Sequence, residues 1–177
     1  ERTTNVEQVF PDRRPWLAND FTLAEVKRLD AGSWFGATFA SERIPTFQEA
    51  IDLVRGKAGI YPELKAPELY AGRNIDFEKM VAAILTKNGL VGAGAEPNTP
   101  VILQTFSESS LEKLAALELG LPVVLLLEAR DAEEWGRRER VVAAKAAGAT
   151  GLGPAKAIID RHPSLVTWAH ELGLTVT

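Results

Sequence analysis

The chain has 177 residues, 46% of them hydrophobic and 25% charged, with a formal net charge of -4. This supports one domain with a sizeable core, excludes wholesale disorder and, without any basic stripe, argues against duplex nucleic acid as a partner. Cysteine is absent, which excludes disulfides and thiolate metal sites, and the longest apolar run, residues 121–127, suits a buried strand and is too short for a membrane span.

The start, Glu1-Arg2-Thr3-Thr4-Asn5, has no initiator Met and no visible signal peptide, and reads as beginning inside a longer sequence. Residues 1–43 show little periodicity. Aromatics and prolines (Pro11, Pro15, Trp16, Trp34, Phe35) sit among polar residues, as in an ordered excursion. One short helix is expected there, opened by the capping box Thr22-Leu23-Ala24-Glu25.

Regular alternation is expected over residues 44–177. A second capping box, Thr46-Phe47-Gln48-Glu49, opens a helix with Phe47, Ala50, Ile51 and Val54 on one face. Residues 58–65 read as a strand, in which Glu63 and Lys65 share a face. A carboxylate and an ammonium on one face of an apolar strand are either a surface pair or a site that binds something. A polar loop follows over 68–74. Asp76 caps a helix to Asn88 with Phe77, Met80, Val81, Ile84 and Leu85 on one stripe. Residues 89–100 read as a loop, in which Gly92-Ala93-Gly94 follows a helix rather than a strand and so is no dinucleotide fingerprint.

Residues 101–106 are a second strand, Ser107 or Ser109 caps the next helix, and 122–127 are a third strand. Asp131 and Glu134 open one long helix to about Ala147. Residues 150–153 form a fourth strand, Ser164 starts a helix to Leu172, and 174–177 begin a fifth strand. Strict alternation implies parallel strands with right-handed crossovers. An open doubly wound sheet, such as a phosphate-binding regulatory domain, is one solution. An arc of an eight-stranded barrel is the other, favoured by polar or Gly residues at successive strand ends (Glu63, Lys65, Gln104, Glu128, Gly153).

Several stretches together resemble the glycerophosphodiester phosphodiesterase family. Arg2-Thr3-Thr4-Asn5 is similar to the segment after that family's His-Asp motif. Residues 23–35, ending Leu29-Asp30-Ala31-Gly32-Ser33-Trp34-Phe35, resemble its small insertion, and Arg43-Ile44-Pro45-Thr46-Phe47-Gln48-Glu49 the helix entry behind it. Pro62-Glu63-Leu64-Lys65 resembles its third-strand Glu-x-Lys motif. The fuller 60–67 stretch is similar to exported members, and Gln104-Thr105-Phe106 and Gly151-Leu152-Gly153-Pro154 to later segments.

The resemblance implies a TIM (β/α)8 barrel of which about five strands are present. It implies metal-dependent hydrolysis of a small glycerophosphodiester to glycerol 3-phosphate and an alcohol, with one divalent ion (Ca²⁺ or Mg²⁺) and a periplasmic or secreted location, the alternative being cytoplasmic. Glu63 would be a metal ligand, Lys65 a cation near the phosphate, and Phe106 and Gln104 pocket residues. Glu128 matches no motif of the family. The family's catalytic histidines and its Glu-x-Asp pair have no counterpart in these residues, so the chain reads as a member cut at both ends, expected to be inactive alone and prone to self-association at open sheet edges. His162, in a loop before a helix, and His170, on one, are expected to be surface or structural residues. Trp135 and Trp168 are expected in core or helix packing, and Trp16 and Trp34 to pack the irregular segment, the alternative being a rim that contacts the alcohol. The alternative is a non-catalytic binding or interaction module derived from the same fold.

Overall fold

A computed structural model describes residues 3–177; Arg2, part of one family-like segment, lies outside them. The chain divides into two compact units, one ending at Leu53 and one spanning Val54–Thr177.

The first unit is held by aromatic packing and capped turns. It contains α1 (Val6–Val9), α2 (Leu23–Val26) and α3 (Phe47–Val54, whose last residue opens the second unit). Phe10 and Leu29 are buried. The Phe10 ring packs on Phe21 at 5.0 Å, and the guanidinium groups of Arg13 and Arg28 lie over it at 5.2 and 5.0 Å. Trp16 Nε1 donates to the Phe10 carbonyl at 2.8 Å, so this indole is packing, as its sequence context suggested. Trp34, Phe35 and Phe39 form an exposed edge-to-face stack. Gly32 is required: a Cβ there would lie 1.9 Å from the Phe39 carbonyl oxygen.

Both capping boxes form. Thr22 Oγ1 accepts from Glu25 N at 3.3 Å and Glu25 answers at 2.9 Å. Thr46 Oγ1 accepts from Glu49 N at 3.1 Å, and Glu49 accepts from Thr46 N at 2.7 Å and pairs with Lys27. The Lys27 ammonium and the cap bring the Glu49 carboxyl from its ordinary 4.5 to about 2. Its folded pKa is therefore depressed, so its contribution to stability is complete above about pH 4.5 and lost as pH falls toward 2. Acid titration followed by circular dichroism should show stability declining across that window. Thr46→Ala combined with Lys27→Met should flatten the decline, and an unchanged acid limb would contradict the assignment.

The second unit is a parallel sheet under helices. Strand β1 is Leu103–Thr105, β2 Val123–Leu127, β3 Gly151–Pro154 and β4 Thr175–Val176, in the order β1-β2-β3-β4, every pair parallel. Residues 58–65 add the expected further strand in interrupted form. Ile60 bridges Val101 and Glu63 bridges Gln104, both parallel. Backbone bonds Ile60 N to Pro100 O, Ile102 N to Ile60 O, Gln104 N to Pro62 O and Leu64 N to Gln104 O keep one register throughout. The regular ladder would next have residue 62 donate to the Ile102 carbonyl. Pro62 has no N–H, so the ladder is broken there while the strand direction continues.

Alternation along these strands sorts residues onto two faces. Leu64, Leu103, Thr105, Val123, Leu125, Leu127 and Leu152 point to one face and are all buried. The helices cover it, supplying Leu85, Leu111, Leu114, Val141, Ile158 and Leu165. The opposite face carries Tyr61, Glu63, Gln104, Val124, Leu126, Gly151, Gly153 and Thr177. Tyr61 Oη lies 3.2 Å from Thr177 Oγ1. In a flat sheet four strand spacings would separate these positions by about 19 Å. The sheet therefore curls strongly, with this second face inside the curve. Gly151 and Gly153 make room on it, since a Cβ at either would lie 2.3 Å from Thr175 Oγ1 or 2.6 Å from Leu126 Cδ2.

The helices of this unit are α4 (Glu68–Ala71), α5 (Phe77–Lys87), α6 (Glu108–Ala116), α7 (Ala132–Trp135), α8 (Arg138–Ala146), α9 (Lys156–Arg161) and α10 (Ser164–Glu171). Caps by Asp76 and Ser107 are as expected. Four expectations need correction. The 68–74 loop contains α4. A helix, α9, precedes α10. The single long helix after Asp131 is broken into α7 and α8 at Gly136 and Arg137. The break coincides with the His162 ring, which packs so closely on Gly136 that a Cβ there would lie 2.6 Å from it. The buried stripe of α5 is Glu78, Val81, Ala82 and Leu85, while Met80 is exposed. Helix α5 packs against α6, where Lys113 Nζ lies 3.5 Å from the buried Glu78 carboxylate.

Candidate active site

The carboxyl ends of the strands gather the polar residues. Glu63 and Gln104 are register partners on adjacent strands, so their side chains rise side by side on the inner face. Gln104 is half-buried and Glu63 exposed. Gln104 Nε2 donates to the Tyr61 carbonyl at 3.1 Å, which fixes the amide across to the Glu63 strand. Lys65 is exposed at the end of that strand, just before Ala66, whose φ of +46° turns the chain sharply away.

Phe106 directly follows β1 with nearly half of its surface open, at 46%. It lines an open pocket of about 510 Å³ with Leu127, Glu128, Arg130, Gly153 and Pro154. Glu128 also belongs to this mouth: it is half-buried at the end of β2 and pairs with Arg130 Nε at 2.5 Å. Sequence reading assigned neither Glu128 nor Arg130 to the site. The available signal was that Glu128 is the first charge after five apolar residues of a barrel-type strand.

The four proposed site residues therefore fall on two adjacent strand ends. Glu63 and Gln104 are directly paired, and Phe106 joins Glu128 and Arg130 around the pocket. His162 and His170 are placed elsewhere, His162 against Gly136 and His170 exposed on α10. Trp135 is buried, as expected for core packing.

Among the described residues no group of three or more His, Cys, Asp or Glu side chains is placed to hold a metal ion. Glu63 is a sound hard-oxygen donor, but a divalent ion of the Ca²⁺ or Mg²⁺ kind takes about six or more oxygens. The described residues at this mouth thus fit one corner of such a site and not the whole of it.

The family model for the glycerophosphoryl diester phosphodiesterase family matches residues 1–177, the whole chain. The chain belongs to that family. It is 40% identical over 123 residues to the glycerophosphodiester phosphodiesterase of Bacillus subtilis (strain 168), a match covering 65% of this chain and 40% of that protein. It is 34% identical over 137 residues to that of Caldanaerobacter subterraneus subsp. tengcongensis, covering 76% and 49%. The chain thus spans between 40% and 49% of the length of these two relatives.

The glycerophosphodiester phosphodiesterase of Agrobacterium tumefaciens superposes with a TM-score of 0.61 at 22% identity, over 88% of this chain and 57% of that one. A phosphodiesterase of Oleispira antarctica, solved with the product sn-glycerol-3-phosphate, superposes at 0.55 and 23% identity, over 92% and 68%. These likenesses establish the fold: the curled parallel sheet under helices is an arc of the (β/α)8 barrel of these phosphodiesterases, and the doubly wound alternative is set aside. Among the described residues no helix is long and apolar enough to cross a membrane.

Proposed function

We propose that the full-length protein hydrolyses a small glycerophosphodiester to glycerol 3-phosphate and an alcohol, with a requirement for a divalent ion, Ca²⁺ or Mg²⁺. The observation that carries this reading is the Glu63–Gln104 register pair, seated at the carboxyl ends of barrel strands in a chain that matches the family along its whole length. In a (β/α)8 barrel that end is where chemistry resides. Glu63 would give one oxygen donor to the ion, whose chemistry is to neutralise charge on the phosphodiester. Lys65, a compact cation at the same strand end, would meet the phosphate. Phe106 would cover the apolar carbon frame of the substrate and exclude water from it, while Gln104 would orient hydroxyls through its amide. The product bound in the Oleispira antarctica relative is consistent with a small glycerol phosphate as the ligand class.

The test is release of glycerol 3-phosphate from sn-glycero-3-phosphocholine and sn-glycero-3-phosphoethanolamine, followed by a coupled dehydrogenase. Release should stop on addition of a chelator and return when Ca²⁺ or Mg²⁺ is restored. No release with either ion, or release indifferent to the chelator, would refute the proposal.

A further inference from the structure

A buried hydroxyl lies at the centre of the candidate residues. Thr105 sits between Gln104 and Phe106 and is 0% exposed. Its Oγ1 donates to the Leu64 carbonyl at 3.1 Å, and Leu64 sits between Glu63 and Lys65. The same oxygen accepts from Ser107 N at 3.1 Å, so the hydroxyl is used both as donor and as acceptor.

The connections continue outward from Ser107. Its Oγ accepts from Ser110 N at 3.0 Å, capping α6, and donates to the Glu68 carboxylate. Ser109 Oγ reaches the same carboxylate oxygen at 3.3 Å. The Ser107 hydroxyl holds the Glu68 carboxyl below its ordinary pKa. Glu68 opens α4 immediately beyond the left-handed turn at Ala66. The network therefore begins at the carbonyl between Glu63 and Lys65 and ends just past the turn that follows them.

Its position answers a weakness in the sheet. Pro62 removes one ladder bond between the Glu63 strand and β1, so the backbone pairing of the two strand ends is thinner than in a regular ladder. Side-chain ties at that point carry more of the alignment. Misplacement of catalytic groups by about 1 Å can lower a rate on the order of a hundredfold.

We propose that Thr105 is a positioning residue of this site: its hydroxyl clamps the Glu63–Lys65 backbone to the Gln104–Phe106 backbone, and Ser107 with Glu68 extends the clamp to the turn at Ala66. The proposal rests on the phosphodiesterase reading for its catalytic consequence, and its physical content stands on the hydrogen bonds themselves. Valine at 105 keeps the shape and loses the hydroxyl, whereas serine keeps the hydroxyl and loses a methyl.

The experiment compares Thr105→Val and Thr105→Ser in the full-length protein by steady-state kinetics on sn-glycero-3-phosphocholine and by amide hydrogen exchange. Thr105→Val should lower kcat roughly thirtyfold with KM within about threefold, and Thr105→Ser should recover most of kcat, the pattern expected of misaligned groups. Exchange at the Ser107 and Leu64 amides should quicken about tenfold or more in Thr105→Val, with Leu125 and Leu152 unaffected. Unchanged kcat, failure of serine to rescue, or unaltered exchange at Ser107 and Leu64 would each overturn the proposal. Should the wild type release no glycerol 3-phosphate, the phosphodiesterase reading fails and the exchange result alone decides the clamp. Should Thr105→Val not fold, Glu68→Gln takes its place: a loss of about fivefold in kcat at constant KM supports the clamp, and no loss overturns it.

Discussion

Glu63→Gln in the full-length protein is expected to reduce kcat/KM roughly a thousandfold, while thermal stability stays within about 0.5 kcal/mol of the wild type. The two halves of this expectation come from different features. Glu63 is exposed, and its strand is paired through backbone groups, with Leu64 N donating to the Gln104 carbonyl and Gln104 N to Pro62. Glutamine keeps the volume and leaves those bonds untouched, so the fold has little to lose. The charge is another matter. On the proposed reading the Glu63 carboxylate would serve a cation, and several kcal/mol of charge stabilisation correspond to about three powers of ten in rate. Activity within tenfold of wild type would remove Glu63 from the machinery. A large fall in melting temperature would show instead that the side chain is structural.

Leu103→Ala should produce the largest loss of stability, about 3 kcal/mol. Leu103 is 0% exposed on the helix-covered face of β1, a strand of three residues held between the Glu63 strand and β2. Truncation there leaves a cavity that two paired neighbours limit from collapsing. With a urea dependence on the order of 2 kcal/mol per molar, the unfolding midpoint should fall by about 1.5 M. Met80→Ala is the control. Met80 is apolar and on a helix, but it is 56% exposed and should change stability by no more than about 0.5 kcal/mol. Equal losses for the two variants would mean that the buried face has been misassigned.

That pair also shows where the sequence was readable. The periodicity of α5 located the helix and its Asp76 cap, but it put Met80 on the buried stripe in place of Glu78. Periodicity scores apolarity, and the burial of Glu78 depends on Lys113, a partner on another helix 35 positions along the chain. The capping boxes at Thr22 and Thr46 were legible because donor, acceptor and spacing all lie within four residues. The break between α7 and α8 was not, because the residue packed at Gly136 is His162, which comes from the far side of β3 in sequence. At the site, Glu63, Lys65 and Gln104 are legible as polar groups at strand ends, whereas Phe106 enters only through the resemblance of Gln104-Thr105-Phe106 to a family segment. Glu128 also stands at a strand end but matches no motif of the family. Its place beside Phe106 and Arg130 is a property of the curled sheet, which no local pattern encodes.

The hydrogen bond between Tyr61 and Thr177 joins hydroxyls 116 positions apart in the chain. Contacts of such long sequence separation carry a loop-closure cost and form slowly relative to helical turns. Each parallel pairing in the second unit is likewise non-local, so the helices have local support early and the curl of the sheet is completed late. Tyr61 lies on the same strand and the same face as Glu63, and its carbonyl holds the Gln104 amide. Completion of the candidate site is therefore expected to coincide with the slowest phase of folding. A chain halted before that phase would hold most of its helices and have no assembled site.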